Sequence, residues 1–360
     1  MDGFAVVAAD LSPWREVTGV QAAGPQMNLE VSEGYAIKIM TGAPLPTGAD
    51  AVVPIEHVEV SEDHIVIDEV PLASGLNIRP VGSDLAMGQR ILARGERVGP
   101  VELGLIATMG YAEIAVARPP RVAVISTGDE LVEPGDDLTP GMIRDSNRYS
   151  LVASVQETGA TVVHSSRVGD TVEELRERVM SLAGEIDVLV TSGGVSVGDR
   201  DVVKLLLGET ADVHFRRVFM KPGKPLTFAT TDDTVIFGLP GNPVSSMVSF
   251  ELFVRPALLT MMGATRIQRD VAPVVLTSDI RPSDRIEFQR ATVTVGDDGR
   301  LQATGTGNQI SSRLASLLNA NALIIVEPGQ EIVPAGSTLP AMLLDTPRSS
   351  AQSLMSLLPT

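Results

Sequence analysis

The chain has 360 residues, 44% of them hydrophobic, and this length predicts two or three domains because it exceeds what one compact core normally serves. Its formal net charge of −17 argues against general binding to nucleic acids or anionic membranes. The lack of cysteine excludes disulfides, thiolate zinc sites and a cysteine nucleophile, and it favours a cytoplasmic protein.

Neither a signal peptide nor a membrane span is expected. The N-terminus has no basic region followed by a long apolar core. The least polar long stretch, 243–262, includes Glu251, Arg255 and Pro256, which favours a buried helix over a membrane-spanning one.

The N-terminal part, residues 4–84, alternates short runs rich in valine and isoleucine with turns rich in glycine and proline. Strand candidates lie at 36–40, 51–55 and 64–67, and no segment has a helical pattern. We therefore predict a small β domain over 4–84. Residues 85–118 form a connector, with a short helix predicted over 101–109 and a strand over 112–116.

Residues 119–265 are typical of a doubly wound α/β domain, because apolar strand patterns alternate with helical patterns. The predicted strands are 121–126, 161–167, 187–191, 213–220, 226–229 and 235–238. The predicted helices are 146–157, 172–182, 201–207 and 243–262. The alternation predicts a parallel sheet that binds its ligand at the C-terminal ends of the strands.

The C-terminal part, residues 266–345, returns to short β runs at 274–276, 286–290 and 323–326, which predict a small β-barrel. Residues 346–360 are rich in serine and have few apolar residues to anchor them, so we expect a flexible tail.

The most informative stretch runs from Thr191 to Asp201 and is rich in glycine. It follows a strand candidate and precedes a helical pattern, so its backbone N–H groups are expected at a helix N-terminus, where anions bind. Asp199 and Asp201 supply carboxylates of the kind that hold a divalent cation. The stretch therefore predicts a combined phosphate and metal site.

Three further motifs follow strand candidates. The adjacent carboxylates of 127–130 suit a cation or a ligand hydroxyl, although a turn or a helix N-cap explains them equally well. Lys221 and Lys224 lie on a frame stiffened by two prolines, which suits an oxyanion in so acidic a chain. The loop 238–243 is typical of a helix start and also lets a flat ligand approach the backbone.

Six short motifs occur in order along the chain: Met-Asp-Gly-Phe-Ala-Val at 1–6, Ile-Met-Thr-Gly-Ala-Pro at 39–44, Ser-Thr-Gly-Asp-Glu-Leu at 126–131, Ser-Gly-Gly-Val-Ser-Val-Gly at 192–198, Lys-Pro-Gly-Lys-Pro at 221–225 and Leu-Pro-Gly-Asn-Pro at 239–243. Each motif is loose by itself. The six in register resemble the molybdopterin molybdenumtransferase family, the MoeA-type proteins, to which the E domains of gephyrin and its plant counterpart are related. The resemblance extends to about residue 345.

The resemblance implies an enzyme that takes molybdate and adenylylated molybdopterin and, with Mg²⁺ or another divalent cation, releases AMP and forms molybdenum cofactor. It implies an elongated homodimer whose active site lies between the α/β domain of one subunit and the β domain of the other. The adenylyltransferase that makes the intermediate is a candidate partner. The family also carries a helical segment before the Met-Asp-Gly motif, where this sequence starts, and its loss would affect stability and dimerisation.

Site residues follow from the resemblance, motif by motif. For the phosphate of the pterin they are Ser192, Gly193, Gly194, Ser196 and Gly198. For the cation and the pterin they are Glu130, Asp170 and Asp201, to which the residue pattern described above adds Asp199 for the cation. For the molybdate they are Lys221, Lys224, Arg290 and Ser312. From the partner's β domain they are Asp2, Thr41 and Asp84, and at the pocket floor Pro240 and Pro243.

Two other functions remain open at this point. A molybdopterin adenylyltransferase resembles the α/β domain alone, and the flanking β domains count against it. A non-catalytic scaffold of the gephyrin kind is the second alternative, and the intact charged motifs count against it.

Overall fold

The computed structural model describes residues 2–194 and 211–349. Two compact units, Met1–Ile91 and Leu92–Thr360, divide the chain. The helix predicted over 201–207 lies outside the described residues.

The first unit contains one six-stranded sheet, in agreement with the predicted β domain. Its strands are β1 Gly3–Val6, β2 Trp14–Gln21, β3 Tyr35–Ile39, β4 Ala51–Pro54, β5 Val58–Val60 and β6 His64–Ile67. Their order in the sheet is β4-β1-β3-β2-β6-β5, and a 3₁₀ turn, Ile55–His57, follows β4. Apolar side chains are buried on both faces of the sheet: the larger cluster includes Phe4, Val53 and Ile65, and a smaller one includes Ile39 and Val52.

The predicted connector, residues 85–118, starts in the first unit and continues into the second. Helix α1, Pro100–Thr108, forms close to where the sequence predicted it. The prediction of a strand over 112–116 was wrong, because these residues are exposed and do not form a strand. A short β-prone run is not stable by itself, because a strand is held by pairing and packing against neighbours.

The α/β domain follows, with a six-stranded central sheet. Its strands are β7 Arg121–Thr127, β10 Thr161–Val168, β11 Val188–Ser192, β12 Asp212–Arg217, β14 Pro225–Thr230 and β15 Val235–Leu239. Three two-residue strands lie outside this sheet: β8 Leu131–Val132 and β9 Ile143–Arg144 pair with each other, and β13 Met220–Lys221 pairs with a strand of the C-terminal barrel. The predicted strand 213–220 is thus two strands, β12 and β13.

The sheet order is β10-β7-β11-β15-β14-β12. The first four strands are parallel, as predicted, whereas β14 and β12 pair antiparallel. The prediction of a fully parallel sheet was therefore wrong at this edge. The reason is the short turn between β14 and β15, because a parallel pair needs a long crossover and a short turn makes a hairpin.

Helices cover both faces of this sheet. They are α2 Asn147–Thr158, α3 Val172–Ser181, α4 Pro243–Ser249 and α5 Arg255–Met261, the last two joined by a π-helical turn, Phe250–Val254. Helix α2 ends at Gly159, whose positive φ of 96° is the backbone conformation of a glycine C-cap.

Pro243–Met261 is long and apolar enough to cross a membrane by length and composition alone, and half of it is buried inside the fold. Its buried side chains pack against the central sheet and the barrel, among them Val244, Phe250, Val254 and Leu258. This packing agrees with the prediction of a buried helix.

The C-terminal part is a closed barrel, as predicted. Its strands are β16 Val271–Leu276, β17 Ile286–Val295, β18 Leu301–Gly305, β19 Ala322–Val326 and β20 Thr338–Leu343. The ring β17-β18-β16-β20-β19 closes because β19 also pairs with β17. A 3₁₀ turn, Leu314–Leu317, precedes β19, and β21, Arg348–Ser349, pairs with β17. The beginning of the segment predicted as a flexible tail, 346–360, is therefore anchored to the barrel.

Candidate active site

A cleft of about 710 Å³, here called the strand-end cleft, lies at the C-terminal edge of the parallel strands. Strands β7, β11 and β15 are neighbours and end at Thr127, Ser192 and Leu239, so the loops after them converge. Its lining comes from 126–131, 143–147, 192–194 and 241–243, with Asp170 and Ser312. The sheet topology thus brings the predicted loops together, as expected for this architecture.

Gly193 lies where β11 leaves the sheet. Its φ is +93°, and a Cβ atom there would lie 2.5 Å from the carbonyl oxygen of Thr127. Only glycine fits such a position without a shift of the neighbouring backbone. The Gly193 N–H donates to the carbonyl of Leu239, which ties this loop to the end of β15. Ser196, Gly198, Asp199 and Asp201 lie outside the described residues.

Asn147, in the first turn of α2, joins two of these loops. Its side-chain amide donates to Ser192 Oγ over 2.8 Å and to the Gly241 carbonyl over 2.7 Å. Its Oδ1 atom and Thr127 Oγ1 are buried and have no hydrogen-bond partner within 2–194 and 211–349. Such atoms are available to accept hydrogen bonds from a bound ligand. The sequence reasoning did not select Asn147, because a polar residue at a helix start is usually explained by capping.

A buried ionic network stiffens one wall of the cleft. Asp145 accepts hydrogen bonds from Ser126 Oγ at 2.5 Å and from Arg148 Nε at 2.9 Å. Arg148 also donates to Glu133 at 2.6 Å. Burial disfavours the charged guanidinium, but the contacts with Asp145 and Glu133 outweigh it and raise the pKa of Arg148. Asp145 was also not selected from the sequence.

Carboxylates also line the cleft. Asp129 and Asp170 each accept a hydrogen bond from the other's backbone N–H, at 3.1 and 3.3 Å, and Glu130 lines the same cleft. Carboxylate oxygens are the donors that Mg²⁺ and similar cations prefer. The part of the chain that the structure describes contains no group of three or more such side chains close enough to hold a metal ion. The predicted set of Glu130 with Asp199 and Asp201 stays a prediction.

A second cavity of about 510 Å³, here called the cationic cavity, lies beside the first. It is lined by 220–225, Pro240, Asn242, Ser245, Arg285 and 308–311. Lys221, Lys224 and Arg285 contribute three positive charges to this lining. Lys221 Nζ forms an ion pair with Glu287 Oε1 at 2.6 Å.

Arg290 and Ser312, predicted to bind the oxyanion together with the lysines, are placed elsewhere. The Arg290 side chain is buried, with 1% of the residue exposed, and donates to Ser316 Oγ and to the carbonyls of Asn308 and Ile310. Burial lowers the pKa of Arg290 to about 10. Arg290 therefore supports the loop that forms a wall of the cationic cavity, and Ser312 lines the strand-end cleft instead.

Arg285 and Ser311 line the cationic cavity where Arg290 and Ser312 were expected. The Ser311 carbonyl accepts a hydrogen bond from Val244 N, which joins the barrel loop to the start of α4. Both residues are close in sequence to the predicted Arg290 and Ser312. The available signal was the presence of two arginines, one just before β17 and one within it, but the sequence alone does not say which one faces a cavity.

The loop between β15 and α4 separates the two cavities. Pro240 lines the cationic cavity, Pro243 lines the strand-end cleft and Asn242 lines both. A ligand in one cavity is therefore one loop away from a ligand in the other.

The remaining predicted residues belong to the first unit. The backbone N–H and the hydroxyl of Thr41 donate to Asp2 Oδ1 at 2.7 and 2.9 Å, and these bonds lower the pKa of Asp2. Asp84 is exposed.

Three family models match this chain. The MoeA N-terminal region, domains I and II, matches residues 1–110. A probable molybdopterin binding domain matches 123–260, and the MoeA C-terminal region, domain IV, matches 273–344.

Individual proteins match over nearly the whole chain. The molybdopterin molybdenumtransferase of Bacillus subtilis is 38% identical over 95% of this chain and 82% of its own length. The molybdenum cofactor synthesis protein cinnamon of Drosophila melanogaster is also 38% identical over 95% of this chain, which spans 59% of that longer protein. A crystal structure of the molybdopterin biosynthesis MoeA protein from Pyrococcus horikosii has a TM-score of 0.77 and 29% identity, covering 96% of this chain and 87% of that one.

Proposed function

This chain belongs to the molybdopterin molybdenumtransferase family, and from that premise we propose that it inserts molybdate into adenylylated molybdopterin, releasing AMP and forming molybdenum cofactor. The observation that carries the proposal is the pair of cavities on either side of the loop between β15 and α4. One cavity suits a small oxyanion, and the other suits a larger ligand that carries phosphate.

The cationic cavity supports the molybdate half of the reaction. Lys221, Lys224 and Arg285 line this cavity and give it three positive charges. Ammonium and guanidinium groups make charge-assisted hydrogen bonds to oxyanions, and the fork of an arginine binds two oxygens together.

The strand-end cleft supports the pterin half. We assign the phosphate of the ligand to the glycine loop that follows β11, because the sequence predicts that this loop leads into a helix N-terminus, where anions bind. Asn147 Oδ1 and Thr127 Oγ1, both without a partner among the described residues, are placed to accept hydrogen bonds from ring or hydroxyl donors.

A divalent cation, Mg²⁺ in our proposal, would be held by Glu130 with the predicted Asp199 and Asp201. When bound, it would neutralise the negative charge of the phosphate groups. Asp170 lies in the same cleft and would take part in holding the pterin.

The chain's own contribution is to place two anions next to each other and to offset their charge. Lys221 and Lys224 would hold the molybdate on one side of the loop, while the glycine backbone would orient the phosphate on the other. Fixed donors and close placement lower the barrier of such a transfer without any protein nucleophile.

The proposal extends to the surroundings of the enzyme. We propose a homodimer in the cytoplasm that receives its substrate from the adenylyltransferase, with Asp2, Thr41 and Asp84 taking part in substrate binding. Sedimentation velocity tests the dimer, and alanine substitution of Asp2 tests the binding role.

The deciding experiment measures AMP release chromatographically from adenylylated molybdopterin, with molybdate and Mg²⁺ present or omitted. We expect release that requires both, and its loss in Lys224→Ala. A matched control is Arg300→Ala, because Arg300 lies in the turn between β17 and β18, paired with Asp298 and absent from both cavity linings.

Absence of AMP release from the unmodified chain, or equal activity of Lys224→Ala and Arg300→Ala, would contradict the proposal. Adenylation of molybdopterin from ATP by the same preparation would support the adenylyltransferase instead.

A further inference from the structure

A carboxylate of the barrel forms an ion pair with one of the lysines of the cationic cavity. Strand β13 pairs in parallel with β17 and sets Lys221 opposite Glu287. The Glu287 side chain is 4% exposed, whereas that of Lys221 is 51% exposed. The ion pair therefore has a buried acidic end and a basic end that reaches the cavity.

Both oxygens of Glu287 are engaged. Oε1 accepts from Lys221 Nζ at 2.6 Å, and Oε2 accepts from Gln289 Nε2 at 2.5 Å. Burial disfavours the ionised carboxylate, but hydrogen bonds from Lys221, Ser283 and Gln289 outweigh it, so the pKa of Glu287 lies below its ordinary value. The carboxylate is thus a fixed negative charge directly behind Lys221.

Such a charge has two consequences for an anion in the cavity. It directs the Lys221 ammonium, whose long side chain would otherwise sample many rotamers. It also offsets part of the positive charge of the Lys221 ammonium with which it pairs, so this ammonium holds the anion less tightly. Weaker binding of the ground state is useful in a transfer reaction, because only interactions that strengthen in the transition state accelerate the chemistry.

We propose that Glu287 is a positioning residue that acts through Lys221, fixing its ammonium and keeping the oxyanion weakly enough bound to be transferred. The inference rests on the proposed function, because it assumes that the oxyanion in the cationic cavity is the molybdenum donor.

The test is Glu287→Gln, which keeps the shape and an acceptor oxygen for Lys221 but removes the charge. We expect molybdate alone, titrated calorimetrically, to bind about tenfold more tightly. A tenfold change corresponds to a charge interaction of the size that shifts a pKa by about one unit. The kcat of AMP release should fall while KM for molybdate also falls. The matched control is Glu331→Gln, because Glu331 is an exposed carboxylate of the same barrel.

A double-mutant cycle separates positioning from a merely structural role. If Glu287 acts through Lys221, Glu287→Gln should change molybdate affinity much less in a Lys221→Met background than in the unmodified chain. Equal effects in both backgrounds would overturn the inference.

The remaining outcomes are also decisive. Unchanged or weaker molybdate binding by a folded Glu287→Gln variant overturns the inference and leaves the proposed function standing. Failure of the unmodified chain to bind molybdate overturns both. If Glu287→Gln does not fold, Gln289→Met is the second variant, because it keeps the charge of Glu287 but removes the hydrogen bond to Glu287 Oε2. The inference then requires KM for molybdate to rise, and an unchanged KM overturns it.

Discussion

The side-chain amide of Asn147 donates to both Ser192 Oγ and the Gly241 carbonyl, so one residue of α2 holds together the loops that follow β11 and β15. These are the loops that carry the glycine motif and the partition between the two cavities. The contact links the start of a helix to two strand ends that are distant in sequence.

Asn147→Ala is expected to lower AMP release at least tenfold, because both loops lose their common donor and the ligand loses the Oδ1 acceptor. The free energy of unfolding should fall by about 1–3 kcal/mol, the cost of leaving buried partners unsatisfied. Activity and urea unfolding measure the two effects. Asn319→Ala, at an exposed site, is the control and should change neither.

Gly193→Ala should abolish activity. The new methyl group would lie 2.5 Å from the Thr127 carbonyl oxygen in a backbone conformation that alanine rarely adopts, so the loop must move. AMP release and thermal unfolding report the change. Gly135→Ala, where the methyl group meets no atom within 4 Å, should behave like the unmodified chain. An active, stable Gly193→Ala variant would refute the tight approach of β11 to β7.

Arg285→Met is expected to weaken molybdate binding about tenfold or more, since a charge-assisted hydrogen bond contributes about 1.5–3 kcal/mol. Stability should change little, because in the described residues this guanidinium pairs with the exposed Asp284. Calorimetric titration of molybdate measures the effect. Unchanged affinity would mean that the lysines alone hold the oxyanion.

Arg290→Met, unlike Arg285→Met, should mainly lower stability. The change removes the donors that hold two loop carbonyls and Ser316 Oγ inside the barrel, and we expect a loss of about 3 kcal/mol. Thermal unfolding measures this loss. A stable variant with normal unfolding but no molybdate binding would instead place Arg290 among the direct ligands.

The ionised Asp187 side chain is expected to stabilise the fold at neutral pH and to lose this effect in acid. Hydrogen bonds from Arg118 are the main cause of a pKa well below the ordinary value; burial opposes the shift, and Arg121 adds to it. A lowered folded-state pKa stabilises the fold above the unfolded pKa of about 3.9, and this stabilisation is lost as pH falls towards the folded value.

Asp187→Asn should therefore destabilise the chain by about 1–3 kcal/mol at neutral pH, and the difference should shrink as pH falls below about 4. Urea unfolding at several pH values measures it. Asp233→Asn, in the exposed hairpin between β14 and β15, is the control and should show no such pH dependence. A difference that grows on acidification would reverse the assigned sign.

Most elements of the α/β domain could be predicted because their signals are local. The helix that ends at Gly159 and the apolar strand before Thr127 need only periodicity and a stop residue. Strand β14, next to the edge strand β12, was predicted as a strand but not as antiparallel, since strand direction depends on the connection rather than on composition. The strand over 112–116 failed because no partner strand stabilises it.

By itself the sequence determined the three folded parts, the family resemblance and the presence of glycine, lysine and carboxylate motifs after strand ends, because hydrophobic period and turn chemistry act over a few residues. Only the tertiary structure decided that Arg285 and Ser311 face the cationic cavity while Arg290 supports its wall. It alone paired Lys221 with Glu287, which is 66 residues away. Which side chains meet in a cavity depends on how the barrel closes and where it meets the sheet, and neither is encoded in any short segment.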